Sequence, residues 1–108
     1  DPISLKTPNF EEIDPKRFPC LAISIKAAKQ GGGAPAVLNG ANETLVDSFL
    51  EEEINFLDIS KNLQSVMQQF YKTISLNEVP SFLKHISTIE DAVKADQWGR
   101  EQALRCMS

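Results

Sequence analysis

Apolar residues recur along this chain at helical spacing. The cleanest run is Ile59, Leu63, Val66, Met67, Phe70 and Ile74, one continuous stripe. It predicts a core-facing helix, with Asp58 as its N-cap and Leu63, Met67 and Phe70 at its buried centre. Asn55, Phe56 and Leu57, just before it, read as a short extended connection. Another helix is predicted from Ala34 to Leu50. Pro35 suits its first position, because the missing N–H would be unsatisfied there anyway. Leu38, Ala41, Leu45 and Phe49 make its apolar stripe. Asn39, Asn42 and Glu43 fall at i, i+3 and i+4 and share a different face.

The first helix is predicted from Phe18 to Gln30, with either Pro15 or Pro19 at its first position. Phe18, Leu21, Ala22, Ile25 and Ala28 form one stripe, and Cys20, Ile23 and Ala27 form a second. A helix apolar on two sides is expected to be buried on both. Gly31, Gly32 and Gly33 end it, since glycine tolerates the left-handed conformation of a helix cap. Glu51, Glu52 and Glu53 close the second helix as a solvated run. Like charges there oppose the dipole, so that end is expected to fray.

Residues 75–87 are mixed. Pro80 interrupts any long helix, and Val79, Phe82, Leu83 and Ile86 suit a short helical turn over the core. The last helix is predicted from a capping box at Ser87 and Glu90 to about Arg105. Its stripe is Ile89, Ala92, Val93, Gly99, Ala103 and Met107. Asp96 and Arg100 lie within that stripe at i, i+4, with the acid first, and read as a partly buried structural ion pair. Trp98 projects to one side, over a neighbouring helix. The sum is an all-α fold, a small four-helix bundle-like domain over residues 18–108. An extended arm or linker precedes it at residues 1–17, where Pro2, Pro8 and Pro15 prevent a continuous helix.

Length and composition fit one globular domain: 42% of the 108 residues are hydrophobic, enough for a real core. The net charge of −4 and the lack of any Lys/Arg cluster disfavour a nucleic-acid or anionic-membrane surface. No apolar run approaches the ~20 residues that span a bilayer. Cys20 and Cys106 are too few for a disulfide framework and read as reduced thiols of a cytosolic-type protein. The start of the chain has no signal-peptide pattern and no initiator Met, as expected of a piece of something longer.

Catalytic patterns are missing. The three glycines do not follow a strand and lack both dinucleotide and P-loop spacing. No serine or cysteine sits in a nucleophile motif. His85 is the single histidine and reads as structural or exposed. The residues offer no catalytic, cofactor-binding or metal-ligating set. That leaves the face of Asn39, Asn42 and Glu43. Amides supply no general acid or base near neutral pH, so the face is either solvated or a contact surface. Asparagine is a poor helix former, and its use twice hints that the side chains are engaged.

Several segments, in order, resemble the C-terminal part of the 1-deoxy-D-xylulose 5-phosphate reductoisomerase family. They are Arg17-Phe-Pro-Cys-Leu21, then Ala34 to Glu43 with its Leu-Asn-x-Ala-Asn-Glu pattern. Phe49-Leu50 and Ile54 to Ile59 follow, and then Ile89-Glu-Asp91 and Asp96 to Glu101. The match runs from about Phe10 to Ala103. Gly40 and Gly99 stand where the family more often has alanine, and are expected to weaken both helices. The stretch from Ser75 to His85 is longer than the family's.

The resemblance implies a three-domain, homodimeric enzyme of isoprenoid precursor synthesis, bacterial and cytoplasmic or in a plastid-type organelle. It implies NADPH on an N-terminal domain, and a divalent metal (Mg or Mn) with the phosphosugar on a central domain. The product would be 2-C-methyl-D-erythritol 4-phosphate of the non-mevalonate pathway. This chain would be the C-terminal helical domain, inert alone and bracing the central catalytic domain. Asn39, Asn42 and Glu43 would then be the interdomain contact. The competing reading is a free-standing helical interaction module that binds a partner helix in an apolar groove.

Overall fold

The computed structural model describes residue 14, residues 16–76 and residues 78–107. The expected arm at 1–17 therefore lies almost wholly outside the described residues. Its last residues form a turn: the Asp14 carboxylate accepts the Lys16 backbone N–H at 2.9 Å, and the Asp14 carbonyl accepts that of Phe18 at 2.9 Å.

There are five helices among the described residues: α1 (Pro19–Gln30), α2 (Ala34–Leu50), α3 (Phe56–Ile74), α4 (Ser81–Lys84) and α5 (Ile89–Met107). Among the described residues there is no strand. The all-α, bundle-like fold is therefore as the sequence predicts, with four long helices and a short turn, α4. Helix α2 is central and packs against each of the other four.

The stripe of α3 is buried as its period requires: Ile59, Leu63, Val66, Met67 and Phe70 all lie in the core. Trp98 of α5 meets the edge of Phe70, with ring centroids 6.1 Å apart, as expected of a side chain lying over a neighbour. Val79 and Phe82 pack beside the core, and Leu83 plugs into it.

Four local expectations are corrected. Helix α3 starts earlier than Asp58. Asn55 is its N-cap, and the Asp58 carboxylate accepts the Asn55 N–H at 3.0 Å, so Phe56 and Leu57 form the first turn. The capping box of α5 is shifted by one residue. Thr88 Oγ1 accepts the Asp91 N–H at 3.1 Å, and the Asp91 carboxylate accepts the N–H groups of Ser87 and Thr88. Ser87/Glu90 and Thr88/Asp91 have the same spacing, so sequence alone could not choose between them. The C-terminus of α2 does not fray. Glu53 N–H donates to the Ser48 carbonyl and Glu52 N–H to the Phe49 carbonyl, a Schellman closure that holds Glu52 at φ 60°.

The fourth correction concerns α1. Ala27 is its one fully buried residue, Ile23 packs beside the core, and Phe18, Cys20, Leu21 and Ala28 are exposed. The side carrying Phe18, Leu21 and Ala28 is only partly covered among the described residues, with Ala22 and Ile25 half-buried.

The glycines do more than end helices. Gly31 and Gly32 both have positive φ. Gly33 N–H donates to the Leu83 carbonyl at 3.0 Å, and a β-carbon on Gly32 would stand 2.1 Å from the Lys84 carbonyl oxygen. The turn after α1 is thus also the seat of α4. On α5 the stripe shifts toward small residues. Ala95, Gly99 and Ala103 are buried against α2, while Ile89 (84% exposed) and Val93 stay in solvent.

Candidate functional site

Asn39 and Glu43 project from α2 one turn apart, and Asp96 and Arg100 project from α5 one turn apart. The close approach of the two helices brings these pairs together. Asn39 Nδ2 donates to Asp96 Oδ2 at 3.0 Å, Arg100 Nε donates to Asp96 Oδ1 at 2.6 Å, and Arg100 Nη2 donates to Glu43 Oε2. The result is a continuous polar clamp: amide, carboxylate, guanidinium, carboxylate. Its members are partly exposed, which makes each link modest alone. Both oxygens of Asp96 are engaged, so the links act as a network.

Electrostatics follow from this arrangement. Partial burial by itself would raise the Asp96 carboxyl. The hydrogen bonds from Arg100 and Asn39 and the guanidinium charge outweigh it and hold the group below the ordinary aspartate value. Arg100 moves up, chiefly through its hydrogen bond to Asp96. Elsewhere burial pushes the Tyr71 hydroxyl and the Cys106 thiol up.

Of the three residues singled out on the face of α2, the structure joins two to α5. Asn42 is exposed, and its side chain makes no hydrogen bond among the described residues. It lines a shallow hollow with Cys20, Ser24, Pro35 and Leu38, and also borders a larger groove beside Val46 and Ile59. Sequence reasoning missed the partners of Asn39 and Glu43. The signal was there: an i, i+4 polar pair on one helix and an i, i+4 ion pair on another.

Among the described residues no three His, Cys, Asp or Glu side chains gather as a metal site. Both cysteines are free thiols. No helix there is long and apolar enough to cross a membrane.

The fold and the clamp define a small all-α domain whose central charged groups join two of its own helices. The family profile described as the DXP reductoisomerase C-terminal domain matches residues 1–102, and the chain belongs to that family. A 1-deoxy-D-xylulose 5-phosphate reductoisomerase of Microcystis aeruginosa is 38% identical over 98 residues, which are 91% of this chain and 23% of that protein. The enzyme of the same name from Chlorobium phaeobacteroides is 38% identical over 97 residues, 88% of this chain and 22% of that protein. Among solved structures, the reductoisomerase from Zymomonas mobilis in complex with NADPH matches with a TM-score of 0.71 and 34% identity. That match covers 100% of this chain and 26% of the other. The chain thus spans about a quarter of the length of these relatives.

Proposed function

We propose that this chain is the C-terminal brace of a 1-deoxy-D-xylulose 5-phosphate reductoisomerase. The parent would rearrange and reduce its phosphosugar with NADPH and a divalent metal, Mg or Mn, to 2-C-methyl-D-erythritol 4-phosphate for isoprenoid synthesis. It would work as a homodimer in the bacterial cytoplasm. The described residues do not fit either group: they hold no dinucleotide fingerprint and no metal-ligating cluster. On this reading NADPH and metal would be held by other parts of the parent, and no chemical step is assigned to this chain.

The observation that carries the reading is the clamp with Asn42 beside it. Asn39 and Glu43 are fixed by α5, which makes the face rigid. Asn42 offers an amide on that face that is unbonded among the described residues, able to donate and accept toward backbone groups of the central catalytic domain. Asn39, Asn42 and Glu43 together are the proposed interdomain contact. The free-standing module is the weaker reading, because the family match runs through nearly the whole chain.

The test is Asn42→Ala in the full-length enzyme. Turnover or stability should fall by ~1–3 kcal/mol, with the helical content of this domain unchanged. Equal melting temperature and equal turnover would return the face to solvent.

A further inference from the structure

One groove is built unlike the rest of the surface. It lies between the start of α1, the middle of α2 and the first turn of α3, and encloses about 580 Å³. Phe18, Leu21, Val46, Phe56 and Leu57 form its apolar walls, and Leu57 is 78% exposed. Exposed apolar side chains are ordinary when scattered; a cluster around a concavity marks a contact surface. The sequence pattern points the same way independently, since Phe18 and Leu21 belong to the stripe of α1 that predicts burial and are only partly covered here.

Two further observations identify the occupant. Lys16 and Arg17 line the groove, and among the described residues no Asp or Glu does. Its charge therefore complements a carboxylate. The relatives carry about three quarters of their length outside the part matched here, so covalently attached polypeptide is at hand.

We infer that this groove is the docking surface for an apolar segment of the same polypeptide, from the part preceding this domain, with a carboxylate set opposite Lys16 and Arg17. The inference rests on the brace reading and gives it a location. Leu21 and Leu57 supply the apolar contact, and Asn42 borders both the groove and the polar face.

Cys20 is an exposed thiol on the groove wall, so the protein carries its own probe. In the full-length enzyme, Cys20 should react with iodoacetamide at least about tenfold more slowly than glutathione, because a covered thiolate is unreachable. Leu57→Asp should restore fast labelling, whereas Val93→Asp, at an exposed site on α5, should not. The occupant is read by replacing Phe56 with a benzophenone amino acid, irradiating, and mapping the crosslinked peptide. A crosslink to the same chain, upstream of this domain, supports the inference. Free reaction of Cys20 in the unmodified enzyme overturns it, as does a crosslink to residues 1–13 or, in isotopically mixed dimers, to the partner subunit. If Cys20 is open while Asn42→Ala still lowers turnover, the groove assignment fails and the brace reading stands.

Discussion

Gly99 of α5 lies directly against the backbone of Val37 of α2: a β-carbon on Gly99 would stand 2.1 Å from the Val37 carbonyl oxygen. The relationship is reciprocal. A β-carbon on Gly40 of α2 would stand 2.1 Å from the carbonyl oxygen of Asp96 of α5. These glycines are therefore the points where two helix backbones touch. The sequence-based view that they merely weaken their helices is incomplete.

Gly99→Ala should accordingly destabilise the domain. Helix propensity alone would favour alanine by about 1 kcal/mol. The obstacle is backbone, which yields only if the helices separate, and overpacking of this kind costs ~1–3 kcal/mol. Urea denaturation should show a lower midpoint. A midpoint equal to or above that of the parent would show that α2 and α5 can part at no cost.

The clamp makes stability depend on acid. The folded Asp96 carboxyl titrates below its ordinary value, so its contribution is complete above the unfolded pKa of about 3.9. That contribution is lost as pH falls through the lower, folded value. Asp96→Asn should flatten this part of the acid limb when melting temperatures are measured from pH 6 downward, using about half-unit steps. Parallel acid limbs would mean that the pair is not formed in solution.

Leu63 has almost no exposure, and its neighbours on the stripe of α3 are buried with it. Leu63→Ala should cost ~2–5 kcal/mol, the sum of lost transfer energy and the cavity left behind. Calorimetry gives the number directly. An unchanged melting temperature would contradict the burial of this stripe.

Glu52 holds a left-handed conformation that suits glycine better. Glu52→Gly should raise stability by about 0.5–1 kcal/mol, because the cap is already closed and only its strain is relieved. A loss of stability would imply that the Glu52 side chain makes a contact worth more than that strain.

The parts of the fold visible in sequence are those governed by a single helix. The period of α3 identified its buried face because large aliphatic groups pack wherever they point inward. The stripe of α5 was harder to read. Ile89 and Val93 are more apolar than Ala95 or Gly99, yet the small residues are buried, because closeness to α2 rather than hydrophobicity selects that face. The clamp shows the same limit. Asn39 and Asp96 are 57 residues apart, as are Glu43 and Arg100, and no local pattern pairs them. Cap registers at Asn55 and Thr88 were missed for a smaller reason: residues nearby, Asp58 and Ser87, offered equivalent capping side chains.

The pairing of α2 with α5 also sets an order of events during synthesis. Helix α2 is made early and touches every other described helix, but its glycine face and its two clamp residues wait for α5. Contacts of such long sequence separation close late, after the loop entropy of everything between them has been overcome. While the chain emerges residue by residue, the side of α2 that faces α5 stays unpaired until Asp96 to Ala103 have cleared the ribosome. Completion of this module therefore depends on α5, the last of the described helices, whose arrival closes the open side of α2.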